Sequence, residues 1–182
     1  MRLLVTVVTV VAVLATYLTW LAGRLDRLHG RVEAARASLD AQLVRRAAAA
    51  GELATYARGQ SGWAGVDVGG ELAAASAAAR VAAPADREVV ENDLSRALRG
   101  ALAALPSPIA AGSGADSGRL LAELEAASTR VVLARRFYND AVRDTRALRS
   151  RRVSRWLRLA GHAPLPAYFE IDDTAVVAAT AS

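Results

Sequence analysis

Twenty-one consecutive residues, Leu3 to Gly23, carry no charged side chain. As a helix rising about 1.5 Å per residue, that run covers the roughly 30 Å hydrocarbon core of a bilayer. A helix this apolar needs either a core able to surround it or lipid. The rest of the chain offers no such core: much of its 53% hydrophobic content is Ala, and only two Phe and three Trp are present. The threonines of the run are tolerated because their hydroxyls can bond back to the helix, and Tyr17 and Trp20 stand near one end, where amphipathic rings favour the membrane interface. The competing reading is a cleaved signal peptide, with Arg2 as a minimal basic region and Leu3 to Ala15 as its apolar core. Against it, no clean small-x-small cleavage site follows, the run overshoots a signal core, and an amphipathic pattern begins directly at Arg24. The expectation is an uncleaved transmembrane anchor over residues 1–23.

Arg2 alone precedes the run, whereas Arg24, Arg27, Arg31 and Arg36 follow it closely. The positive-inside rule therefore places the downstream domain in the cytoplasm. Asp26 and Glu33 interrupt the cluster, and the extracytoplasmic side is the alternative.

Downstream, the periodicity is helical throughout. Leu25, Leu28, Val32, Ala35, Leu39, Leu43 and Leu53 draw one apolar stripe along a helix from Arg24 to about Arg58. Gly59 to Gly70, with five Gly, reads as a loop. Glu71 to Ala83 is an Ala-rich second helix that stops before Pro84. Asp86 is a candidate N-cap for a third helix reaching about Leu105, with Val90, Leu94, Ala97, Leu98 and Ala101 inward. Pro106 to Gly118 reads as a loop. Leu120, Leu124, Ala127, Val131, Ala134, Tyr138, Ala141 and Leu148 then form a stripe broken only at Thr145, the signature of antiparallel helix packing. Strand signal is nearly absent, and Tyr168 to Ile171 is too short to change the fold class. The expected fold is all-α: an N-terminal transmembrane helix followed by an antiparallel up-and-down four-helix bundle over residues 24–162 and a tail over 163–182, disordered or loosely docked from Asp172 onward.

The formal charge is +5, and all 23 basic residues are Arg, a bias that reflects a GC-rich genome more than a binding chemistry. Placement says more. Between Arg143 and Arg158 lie seven Arg, one acid and Trp156. In an up-and-down bundle the fourth helix returns towards the anchor, so Arg149, Arg151, Arg152, Arg155 and Arg158, with Trp156, join Arg24, Arg27 and Arg31 as candidate contacts to anionic lipid headgroups. Each is worth about 1 kcal/mol near the surface. Val153, Leu157 and Leu159 give that segment an apolar side able to dip into the interface. A solvated terminal helix is the plain alternative; nucleic-acid binding is not expected, since no reader motif is present.

Three stretches resemble the LemA family of bacterial membrane-anchored helical proteins: Arg31 to Ala34 with Leu39 to Arg46; Glu91 to Leu98; and Leu124 to Asp144, whose Tyr138-Asn139-Asp140 is similar to the family's tyrosine core. Tyr168-Phe169-Glu170 is similar to its aromatic tail. The resemblance covers roughly residues 24–170 and marks Asp40, Gln42, Tyr138, Asn139 and Asp140 as signature positions. It implies a single-pass anchor and a four-helix bundle, and brings no established activity. Ala47 to Gly51 departs from the family's Leu-Ile-Pro-Asn-type stretch, and the Gly-rich loop after Gly59 is atypical.

Catalytic constellations are scarce. With no Cys there is no disulfide, thiol nucleophile or thiolate metal site. A di-iron bundle needs Glu-x-x-His on two helices, and Asp26-Arg27-Leu28-His29 approximates it once; His162 stands far away. Asp140 and Asp144 share a helix face, but Arg136 and Arg143 beside them favour surface ion pairs. Tyr138 lies on the core stripe and needs a polar partner for its hydroxyl, for which Asn139 is a candidate. Arg45-Arg46 interrupts the first stripe, so these residues either snorkel outwards or meet Glu91 or Asp93 across the bundle. The expectation is a non-catalytic scaffold or adaptor that recruits protein partners at the bilayer, has no cofactor, and can self-associate through its stripe. The alternative is a metal-dependent sensor or enzyme using His29 and neighbouring carboxylates.

Overall fold

The computed structural model describes residues 1–59, 67–104, 115–150 and 165–172. It is all-helical among these residues, with four helices: α1 (Arg2–Arg58), α2 (Val68–Val81), α3 (Arg87–Ala103) and α4 (Ala115–Arg149). The chain divides into two compact units, one formed by residues 1–36 and 137–168, the other by residues 37–136 and 169–182.

In the first unit, every residue from Leu3 to Tyr17 is exposed. Near its N-terminus α1 carries an apolar window long enough to cross a membrane, and none of that window is buried by protein. The four threonine hydroxyls between Leu3 and Trp20 all donate to the carbonyl four residues back: Thr6 to Arg2, Thr9 to Val5, Thr16 to Ala12 and Thr19 to Ala15, at 2.9–3.0 Å. Burial begins at Leu21 and Leu25, which cluster with Leu148, with Leu28 packed against them. Val32, Tyr138, Ala141, Val142 and Thr145 are also buried in this unit. Thr145, the apparent break in the fourth stripe, is fully buried; its hydroxyl donates to the Ala141 carbonyl at 2.8 Å, so the polar group is satisfied within the helix.

In the second unit one apolar core draws on all four helices: Ala47, Ala50, Leu53 and Ala54 of α1, Leu72 and Ala79 of α2, Leu94, Leu98 and Ala101 of α3, and Leu120 and Leu124 of α4. Each buried Leu contributes about 1.5–3 kcal/mol, and the alanines let the backbones come close. A Cβ added at Gly51 would lie 3.3 Å from the Ser76 hydroxyl, and one at Gly69 would lie 2.7 Å from Arg58 Cγ, so α1 and α2 meet where side chains are smallest.

Helix α2 starts about a turn before the sequence expectation. Asp67 caps it, accepting the Gly70 N–H at 2.9 Å, and the two glycines after Val68 join the helix instead of breaking it. Asp86 does stand at the N-cap of α3, but its side chain makes no capping bond. Helix α4 also begins early, at Ala115 with Asp116 in its first turn, where an acid suits the positive end of the helix dipole. The remainder of the two expected loops lies outside the described residues.

Candidate functional site

The residues expected to face a membrane gather where the exposed apolar stretch ends. Tyr17 and Trp20 stack with ring centroids 6.2 Å apart. The Arg24 guanidinium sits 5.6 Å from the Trp20 ring, a cation–π contact one helical turn along. Arg24, Arg27 and Arg31 are exposed, and Arg31 lies 3.7 Å from Asp144. The aromatic and basic side chains form a collar at the boundary between lipid-compatible and water-compatible helix. Arg149 is partly buried at the end of α4. Arg151, Arg152, Arg155, Trp156 and Arg158 lie outside the described residues.

The signature positions divide between the two units. Tyr138 is buried, and its hydroxyl donates to the Ala167 carbonyl at 2.8 Å. Its partner is therefore the C-terminal segment and not Asn139, which is partly buried. In the same unit the Arg146 guanidinium lies 5.2 Å from the Tyr168 ring. Asp140 pairs with Arg143 at 3.0 Å on the surface of α4. Asp140 and Asp144 thus each face an arginine. Among the described residues no three His, Asp or Glu side chains gather as a metal would require. His29 is partly buried, and its Nε2 has no hydrogen-bond partner among the described residues.

Asp40 and Gln42 border the charged heart of the second unit. Arg46 turns inward while Arg45 stays exposed. Arg46 Nη2 meets Glu91 Oε2 at 2.6 Å, with the two side chains 2% and 0% exposed. The same nitrogen donates to the Glu91 carbonyl at 3.3 Å. Asp40 lies 3.8 Å from Arg87, which also donates to the Ala79 carbonyl of α2. Burial pushes the Glu91 carboxyl above the ordinary carboxylate range; Arg46, and to a lesser degree Arg87, draw it back down, while Asp40 adds to the rise. Gln42 Oε1, Arg46 Nε, Glu91 Oε1 and Ser95 Oγ are buried with no partner among the described residues. The pair thus carries more unmet hydrogen-bonding capacity than a core usually tolerates.

Periodicity did not reveal the docking of the C-terminal segment. Residues 165–172 are non-helical, yet Ile171 is buried, and three side chains of α3 hold the backbone N–H groups of residues 170 and 172 and the carboxylate of Asp172. The available signal was the alternation in Phe169-Glu170-Ile171-Asp172 opposite Glu88, Asn92 and Arg99, which share one face of α3. Compared with family models, with characterised proteins and with solved structures, the chain matches none.

Proposed function

We propose that this chain is a single-pass, membrane-anchored, non-catalytic scaffold of the LemA type, whose helical bundle recruits protein partners at the bilayer surface. The observation that carries the reading is the exposed stretch from Leu3 to Tyr17, in which every threonine hydroxyl is satisfied by its own helix. In hydrocarbon, backbone and side-chain polar groups must be satisfied internally, and the helical backbone and threonines of this stretch meet that condition. The Trp20–Arg24 collar supports an interface just beyond it.

An up-and-down bundle is supported by the order of the pairings within each unit. In the first, Leu21 and Leu25 of α1 cluster with Leu148, and Arg31 with the earlier Asp144, the order of helices running in opposite directions. In the second, Asp40 meets Arg87 and Arg46 meets Glu91, the order of helices running the same way. On this arrangement the basic end of α4 returns to the collar, and the positive-inside bias puts the bundle in the cytoplasm. The kinship with LemA rests on the three sequence stretches and the anchor that precedes them.

The test is capture of the intact anchored chain from crosslinked membranes. A reproducible protein partner is expected; a chain that is always recovered alone contradicts the scaffold. Metal analysis of purified protein, with and without His29→Ala, tests the sensor or enzyme alternative. Cleavage of a C-terminal tag by added protease in inside-out vesicles but not in intact cells is the outcome expected for topology.

A further inference from the structure

The C-terminal segment lies on α3 in register. Glu170 donates its backbone N–H to Glu88 Oε1 at 2.9 Å, and Asp172 donates its N–H to Asn92 Oδ1 at 2.8 Å. The Asp172 carboxylate also pairs with Arg99. Two residues of extended chain advance about 6.6 Å, and four residues of helix advance about 6.0 Å. Alternate N–H groups of a strand therefore meet successive turns of α3, with both chains running the same way. At about 100° per residue, Asn92 and Arg99 fall within roughly 40° of Glu88 around the helix. Ser95 occupies the same stripe, 1% exposed, its hydroxyl without a partner among the described residues. Between the two anchored N–H groups the chain buries one apolar side chain, Ile171.

This is the geometry of a bound peptide whose ligand happens to be covalently attached. Backbone capture is sequence-independent, while the buried Ile171 and the Asp172–Arg99 pair select an apolar residue followed by an acid. The hold is light: one apolar side chain, two hydrogen bonds at exposed sites, and an ion pair 44% exposed on both sides. Such contacts open locally at little cost.

We infer that the Glu88, Asn92 and Arg99 stripe of α3 is a docking site for an extended segment of a partner protein in which an apolar residue is followed by an acid, and that each chain covers the site with its own Glu170-Ile171-Asp172. The inference rests on the scaffold reading and adds the chemistry of the partner. A partner is favoured over a second copy on physical grounds. Every copy already holds this sequence as a tethered ligand at high effective concentration, so exchanging identical segments adds no contact. A partner making the same contacts, and others beyond them, displaces the segment.

The test uses the full chain in detergent micelles and a fluorescein-labelled, end-blocked peptide, Gly-Phe-Glu-Ile-Asp-Gly, followed by anisotropy. Two variants uncover the stripe by different means: Ile171→Asp removes the buried anchor, and Asp172→Lys repels Arg99 from an exposed position. Both should bind the peptide at least about tenfold more tightly than the unaltered chain, because apparent affinity scales with the uncovered fraction. Adding Arg99→Glu to Ile171→Asp should abolish that gain, and a peptide with Lys in place of its Asp should restore it. The inference is overturned if neither uncovering variant binds more tightly, if Arg99→Glu has no effect, or if sedimentation shows the unaltered chain forming dimers that Ile171→Asp dissolves. Membrane capture of a partner that persists with Arg99→Glu would leave the scaffold standing and remove this site.

Discussion

Helix α1 contains two apolar stretches that are built for different surroundings. From Leu3 to Tyr17 the side chains are apolar all round, largely Val with interspersed Thr, and all of them are exposed. From Leu39 to Ala57 the buried residues are Leu39, Leu43, Ala47, Ala50, Leu53, Ala54 and Ala57, with a single charge, Arg46, turned in among them. The contrast shows that distribution around the helix, more than total hydrophobicity, tells which solvent a segment meets. A stripe needs partner helices; an all-round apolar surface needs lipid. It also explains the two ways polar atoms are handled. In the first stretch each threonine hydroxyl turns back to its own helix. In the second, the Arg46 charge is met by Glu91 from another helix.

The strongest way to break this contrast is to place charge in the all-round apolar stretch. Val10→Arg together with Leu14→Arg should disfavour insertion by about 5–7 kcal/mol, at about 2.5–3.5 kcal/mol per residue near a span centre. Fractionation of cells should then find the chain outside the membrane pellet. Next is the buried pair. Glu91→Ala leaves the Arg46 charge unmatched and should destabilise the helical fold by about 3–5 kcal/mol in denaturant unfolding followed by circular dichroism. Joint replacement by Arg46→Met and Glu91→Leu should recover most of that loss.

The same pair carries a pH dependence. Because burial raises the folded-state pKa of Glu91, the folded form binds more protons than the unfolded form above the ordinary carboxylate range. Stability relative to a Glu91→Gln chain should thus be greatest below the unfolded pKa and fall as pH rises through the folded one. A profile that rises over this window contradicts the assignment.

A direct comparison of the two stretches comes from truncating one apolar side chain in each. Leu43→Ala should cost about 2–5 kcal/mol, whereas Val8→Ala, exposed to solvent or lipid, should stay within about 0.5 kcal/mol in the same unfolding assay. Equal losses would mean that Val8 is packed against protein. The smallest effect belongs to the α2 cap: Asp67→Ala should cost about 1 kcal/mol, with helix content falling little.

Much of this was legible in residue spacing. The inward residues named for α3 and α4 are buried or partly buried, and Arg46 does meet Glu91. Three features escaped it for separate physical reasons. Gly69 and Gly70 read as loop formers because composition does not reveal that Asp67 caps a helix through them or that α1 approaches at Arg58. Thr145 read as a break because a one-dimensional pattern counts a hydroxyl as polar even where it bonds to its own helix. The segment 165–172 escaped because extended chain lying on a helix has no period of its own; its register exists only relative to Glu88, Asn92 and Arg99, some eighty residues earlier for the two backbone bonds. Of the candidate lipid contacts, Arg24, Arg27 and Arg31 are exposed beside Tyr17 and Trp20, and most of the downstream arginines lie outside the described residues.

Alkaline carbonate extraction of membranes from cells making the intact chain tests the anchor most directly. The account predicts that the protein stays with the lipid pellet and that N-terminal sequencing of that material still reads Leu3-Leu4-Val5 after the first two residues. Recovery in the supernatant with the same N-terminus would mean that the apolar stretch is covered by protein, and the reading of α1 as a membrane span would be wrong.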